Sequence, residues 1–220
     1  MSYQRINSTS GYTSFLGKIW KSIIPDITIK RQIFNVPVYC SLRYSAWSLY
    51  HSVKNIETYE PFYIPKNKGI FWDMGCNIGV WSVYAATHGM DVIAFDISLS
   101  ACELLMRTAK ESKLSIIVRS YPLGCSEWTY SAPKGSSSSN KLQTGKTHSA
   151  VDYLTQAYYT GVPKMIKMDI EGSEKEFLES NQFKNWIIEN KITFLVELHD
   201  NNEPWGEMET LDCARYIYKP

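Results

Sequence analysis

The sequence predicts an α/β protein built on a doubly wound sheet, and three observations predict it. From residue 69 onward, short apolar runs rich in β-branched residues alternate with stretches of helical periodicity. The run Phe71-Trp72-Asp73 leads straight into the turn Met74-Gly75-Cys76-Asn77-Ile78-Gly79, after which 80–88 reads as a helix. Candidate strands then end again and again in carboxylates, at Asp73, Asp96, Asp169 and Glu197. In an open α/β sheet the C-terminal strand ends share one edge, where ligands gather. Four carboxylate-bearing ends on that edge are more than solvation requires.

The elements follow in order. Residues 1–13 are polar and rich in Ser, Thr and Gly, the composition of a frayed tail. Phe15, Leu16, Ile19, Trp20, Ile23 and Ile24 form one apolar face at helical spacing. Such a face can lie on a membrane surface, but more often packs on its own core or on a partner subunit, so a homo-oligomer is one outcome it allows. Residues 27–31 and 32–40 have strand-like spacing around Asn35 and suggest a hairpin, and 45–54 looks helical. These pieces make an N-terminal helix and hairpin extension over 1–62, ahead of the main domain over 63–220. In that domain strands are expected near 69–73, 91–96, 115–119, 164–169 and 192–198. Helices are expected near 79–88, 99–112, 150–159, 173–180 and 183–190. The serine run at 135–140 reads as a flexible loop. After the fifth strand only 201–220 remain, enough for one helix over 207–217. The sheet therefore looks shortened at its C-terminus, with the hairpin or a partner chain left to cover its edge.

Composition bounds the function. The 220 residues carry 23 Lys+Arg against 22 Asp+Glu, so no polyanion-binding surface is advertised and a nucleic-acid partner is not expected. The five cysteines are odd in number and scattered, with no Cys-x-x-Cys pair, which argues against a zinc site or a disulfide framework. No apolar run approaches the ~18 residues of a membrane span, and the start lacks a signal-peptide layout. A cytoplasmic protein is the expectation.

The glycine turn carries the first chemical inference. Gly75 and Gly79 allow a tight turn and close ligand approach, and Asn77 tolerates a positive φ. The spacing lacks the Gly-x-Gly-x-x-Gly of a dinucleotide cradle, so the turn suits a nucleoside with a small charged tail, and S-adenosylmethionine is the candidate cofactor. Asp96, 21 residues after Gly75, stands where a carboxylate takes ribose hydroxyls, or else caps the following helix. Asp73 either meets the ligand through water or braces the turn. Lys167, Asp169 and Glu171 alternate with apolar residues and share one strand face. Ser173-Glu174-Lys175-Glu176 matches a capping box. His199, at the same edge, could remove a hydroxyl proton, or simply bond a neighbouring acid such as Glu197 or Asp200. Asp169, Glu197 and Asp200 could together hold a hard cation, but nothing in the sequence fixes their geometry, and no metal is expected.

The same residues resemble the FkbM family of S-adenosylmethionine-dependent methyltransferases. The turn over 73–79 resembles the family's first motif, Val92-Ile93-Ala94-Phe95-Asp96 its second strand, and Val151-Asp152-Tyr153-Leu154 a later helix start. Ile166-Lys167-Met168-Asp169-Ile170-Glu171-Gly172-Ser173-Glu174 is similar to the family's hallmark, Leu195-Val196-Glu197-Leu198-His199 to its late strand, and Tyr59-Glu60-Pro61 to the segment before the first motif. The resemblance implies a class I (Rossmann-like) methyltransferase fold and methyl transfer to a hydroxyl of a small molecule, sugar or glycolipid. It implies that Gly75, Asn77 and Gly79 approach the methionine part, that Asp96 takes the ribose, and that Ser120 and Tyr121 flank the adenine. Asp169 would sit beside the sulfonium, with Glu197 and His199 lining the acceptor side and His199 ahead of Asp169 as proton acceptor. Two other readings stay open. Lys167, Asp169 and Glu197 could supply part of an RNA 2′-O-methyltransferase tetrad, or the chain could be a non-catalytic scaffold.

Overall fold

The computed structural model describes residues 25–43, 45–63, 68–126, 128–131, 147–199, 202–211 and 214–220. The expected helix at 15–24 and the serine run at 135–140 lie outside the described residues. The described chain opens on a hairpin, β1 (Thr28–Ile33) and β2 (Val36–Ser41), paired from Thr28 opposite Ser41 to Ile33 opposite Val36. Phe34 and Asn35 turn it with φ of 50° and 63°, so both central residues of the two-residue loop are left-handed. Helix α1 (Ala46–Tyr63) follows and contains Tyr59-Glu60-Pro61.

The main sheet has seven strands: β3 (Ile70–Met74), β4 (Asp91–Phe95), β5 (Ile116–Arg119), β9 (Met165–Met168), β10 (Thr193–Glu197), β11 (Glu209–Thr210) and β12 (Arg215–Tyr218). Their order is β11-β12-β10-β9-β3-β4-β5. The five strands from β5 to β10 are parallel, while β12 runs antiparallel to both β10 and β11. This corrects the expectation of a shortened C-terminus. The described residues of 207–217 form no helix; the last strands are present and close the edge that β10 would otherwise expose. Helices α2 (Val80–Thr87), α3 (Leu99–Ser112), α4 (Tyr153–Thr160), α5 (Glu174–Glu179) and α6 (Asn181–Glu189) cover the two faces. A small sheet of β6 (Leu123–Gly124), β8 (Thr147–Asp152) and β7 (Trp128–Ser131) stands apart from the main one. The helix expected from residue 150 starts instead at Tyr153, where Asp152 Oδ1 accepts from Leu154 N and Thr155 N.

Alternation along the central strands splits the core in two. Phe71, Val92, Ala94, Met165 and Leu195 face α2, α3 and the hairpin. Trp72, Met74, Ile93, Ile166 and Phe194 face the aromatic cluster of Tyr153, Phe177 and Phe183 on α4 to α6. Val38, Cys40, Leu49 and Ile56 join the first cluster, so the hairpin and α1 share the core of the main sheet. None of the described helices is long and apolar enough to cross a membrane.

Candidate active site

Chain order reverses between β3 and β9, and that switch point is where an α/β sheet opens a crevice at its carboxyl edge. Two glycines shape the β3 side of it. Gly75 has φ of 75°, and a Cβ there would lie 1.8 Å from the backbone oxygen of Asp169. Gly79 has φ of 77°, and a Cβ there would lie 2.2 Å from Leu105 Cδ1. The turn thus lies flat against β9 on one side and α3 on the other, as only glycine permits. Asn77 between them has φ of 51°. The N–H groups of Gly75 and Cys76 both donate to Phe95 O, at 2.9 and 3.0 Å, which ties the turn to the end of β4.

Asp96 follows directly. Its Oδ2 accepts from Asn77 N and its Oδ1 from Ser98 N, each at 2.7 Å. Burial raises its pKa, and the two backbone N–H groups partly offset that. One carboxylate therefore joins the glycine turn to the start of α3, where Ser98 Oγ caps Ala101 N. Ser120 is exposed past the end of β5, and the half-buried Tyr121 ring lies 6.2 Å from that of Phe95 while its hydroxyl donates to Gln156 Oε1 at 3.3 Å.

Asp73 turns inward instead. It has no exposed surface; its Oδ2 accepts from Ser82 Oγ at 2.6 Å, and its Oδ1 lies 3.6 Å from Lys167 Nζ. Burial pushes its pKa up, against the pull of Lys167 and Ser82. Lys167 is buried with it, donating to Gly75 O at 3.1 Å and to Asp169 Oδ2 at 3.4 Å. Burial alone would lower its pKa, but Asp169 and Asp73 outweigh it and hold the ammonium charged.

The acceptor side gathers around His199. Its Nδ1 lies 3.0 Å from Glu174 Oε1, while its Nε2 lies 3.7 Å from Asp169 Oδ1 and 3.8 Å from Glu171 Oε2. The Glu174 bond raises the His199 pKa to about 9, against desolvation and with help from Asp169 and Glu171. At neutral pH the imidazole is mostly protonated, so a freely available neutral base is not what this environment holds. Burial and Asp169 raise the Glu171 pKa. Asp169, Glu171 and His199 each offer an atom within 4.8 Å of the others, and a protonated His199 supplies the positive charge among them. Glu197, grouped with Asp169 and Asp200 in the sequence, accepts from Arg215 Nε of β12 at 2.9 Å; Asp200 lies outside the described residues.

Sequence reasoning gave no site role to Glu174, Arg215 or Ser82. The expected capping box is absent, since Ser173 makes no side-chain cap bond. Glu174 reaches back instead to Ile170 N and Gly172 N, both at 2.8 Å. Its place in the hallmark run was the one available signal.

The comparisons with known proteins agree with this architecture. The model of the methyltransferase FkbM domain matches residues 74–218. No curated protein matches the chain. Among solved structures, the chain resembles a Thermus thermophilus 16S rRNA N2 methyltransferase in complex with AdoMet and guanosine. The TM-score is 0.50 at 11% identity, over 88% of this chain and 50% of that one, so this chain spans about half its length. A hypothetical protein, also of Thermus thermophilus, aligns at TM-score 0.44 and 14% identity, over 83% of this chain and 90% of that one. A putative S-adenosylmethionine-dependent methyltransferase from Listeria monocytogenes aligns at 0.40 and 11%, over 67% and 55%. With the complete seven-strand order and a family match running from the glycine turn to the last strand, the chain has the class I methyltransferase fold and belongs to the FkbM methyltransferase family.

Proposed function

We propose that the protein transfers the methyl group of S-adenosylmethionine to a hydroxyl of a small molecule, sugar or glycolipid. The observation that carries this reading is the carboxyl edge at the switch point, where the glycine turn and Asp96 stand at one strand end and Asp169, Glu171 and His199 gather at the neighbouring ones. The donor set fits the cofactor. The glycines let the turn pack tightly against Asp169 and Leu105, which keeps its backbone at the strand end where the methionine part would lie, and both oxygens of Asp96 keep further acceptor capacity for ribose hydroxyls. Ser120 and Tyr121 stand past β5 as adenine neighbours, and the carboxylate-lined wall suits a cation. When bound, S-adenosylmethionine supplies an activated methyl group for in-line displacement.

The chain's own residues then position and deprotonate. Gly75, Asn77, Gly79 and Asp96 would hold the cofactor, which would supply its methyl group to the acceptor hydroxyl and leave as S-adenosylhomocysteine. The hydroxyl proton passes to Nε2 of the neutral fraction of His199, with Asp169 beside it. That fraction is small at pH 7 and grows toward about pH 9. The RNA 2′-O-methyl reading has less support: Lys167 is buried and paired, Glu197 is paired to Arg215, and the net charge is only +1.

Isothermal titration of S-adenosylmethionine and S-adenosylhomocysteine into the wild type and Asp96→Ala tests the proposal. The expected result is micromolar binding that weakens about tenfold or more in the variant, the scale of lost hydrogen bonds to a charged group. A folded wild type that binds neither compound sinks the reading. Binding without turnover on any hydroxyl acceptor would favour the scaffold.

A further inference from the structure

We propose that Glu174 is a positioning residue for His199, its buried carboxylate holding the imidazole Nδ1 and the backbone of the turn after β9 as one unit, so that Nε2 faces the acceptor. The consequence for catalysis rests on the methyl-transfer reading above; the geometry does not.

Glu174 opens α5 with no exposed surface. A carboxylate buried without partners is costly, and here three donors meet it. Oε1 takes Ile170 N at 2.8 Å and His199 Nδ1 at 3.0 Å, and Oε2 takes Gly172 N at 2.8 Å. Ile170 and Gly172 belong to the turn leaving β9, whereas His199 leaves β10. Glu174 therefore fixes two neighbouring strand ends against each other at the mouth of the crevice. Within the turn Glu171 takes a φ of 57°, a conformation uncommon for a residue with a side chain. The N–H groups on either side of it converge on the one carboxylate.

The chemical result follows from the tautomer. With Nδ1–H donated to Glu174, neutral His199 carries its lone pair on Nε2. The two oxygens facing Nε2, at 3.7 and 3.8 Å, are too far for direct hydrogen bonds, so that nitrogen is left for an acceptor proton. Among the described residues, the charged groups around the ring are Asp169, backed by Lys167 at 3.4 Å, just past β9; Glu171 in the turn; Glu174 on α5; and Glu197, held by Arg215, at the end of the strand that leads to His199. Among the described residues, Glu174 is the one that bonds Nδ1. A carboxylate behind an imidazole makes it a stronger base once neutral, the logic of a catalytic dyad.

The test needs no acceptor. The His199 ring nitrogens are titrated by NMR in the wild type and in Glu174→Gln, which keeps an acceptor oxygen but loses the charge. His199→Gln assigns the signal, and S-adenosylhomocysteine binding is measured on the same wild-type sample. The wild type is expected to show the Nδ1-protonated neutral tautomer and a midpoint near about 9. In Glu174→Gln the midpoint should fall toward the ordinary value of about 6.5. A wild-type midpoint already near 6.5, the opposite tautomer, or an unmoved midpoint in the variant overturns the proposal. Should Glu174→Gln fail to fold, the wild-type tautomer and midpoint decide alone. Loss of cofactor binding with the expected His199 titration would count against methyl transfer and leave the positioning role supported.

Discussion

Lys167 brings an ammonium group into the sheet interior, and three oxygens hold it there: Gly75 O, Asp169 Oδ2 and Asp73 Oδ1. In the strand register Asp73 lies opposite Lys167, so the pair bridges the switch point itself. This cation fixes the glycine turn to β9 and is not free to meet a phosphate. A pair so buried adds little net stability over apolar residues, because desolvation consumes most of the attraction. Breaking it by removing one partner is another matter. Lys167→Met should cost about 3–5 kcal/mol, since Asp73 then keeps a buried charge or must take up a proton. Denaturant unfolding measures this, and an unchanged midpoint would show that Asp73 is already neutral in the native protein. The double variant Asp73→Asn, Lys167→Met should recover part of the loss, because the two sites are in contact and couple.

At the scale of the element, β12 decides whether the sheet has a protected edge. Ile217 is fully buried in the cluster with Leu195 and Phe71, and β12 hydrogen-bonds β10 from Phe194 to Glu197. Ile217→Ala should cost about 2–5 kcal/mol by cavity formation and raise aggregation as β10 loosens at its edge. Thermal melts of the variant and the wild type with light scattering check it; a variant that melts like the wild type, without added aggregation, would mean that β12 is dispensable. The sequence revealed the central parallel strands through short apolar runs buried on both faces, as in Val92 to Phe95 and Phe194 to Val196. It revealed α3 because Ser98 is a cap residue and Ala101, Cys102 and Leu105 form a periodic buried stripe. It misread 207–217 because β11 has two residues and β12 four, too short for a period-two pattern. Those strands exist through the open edge of β10, which is tertiary information. The glycine turn, Asp96, Lys167 and Asp169 were legible because they are local to one strand end each. The bonds from Glu174 to His199, 25 residues away, and from Glu197 to Arg215 join different strand ends, and no spacing rule announces them.

For the molecule as a whole, a net charge of +1 means that long-range repulsion contributes little to its pH response, so local clusters govern it. His199 dominates the neutral range. Its folded pKa, about 9, lies above the ordinary 6.5, so its contribution is complete below about 6.5 and is lost as pH rises through about 9. A difference of that size corresponds to up to about 3 kcal/mol. Burial raises Asp73, Asp96 and Glu171, which also weakens the fold as pH rises, whereas Glu174 is lowered by its bonds to His199 and the turn. Lys167 is raised at the alkaline end, and the thiols of Cys40, Cys76 and Cys125, all raised by burial, weaken the fold only above their ordinary value of 9.0, where the unfolded chain ionises them. The thermal midpoint should therefore fall steadily between about pH 6.5 and 9, and His199→Gln should flatten that slope. The same protonation runs against the proposed activity, since the neutral imidazole that accepts a proton is the form in which the fold is weaker. Stability and methyl transfer should thus move in opposite directions across one pH window. A wild type whose melting is flat over that window would mean that His199 is neutral throughout, and would remove the reason to expect transfer to speed up toward alkaline pH.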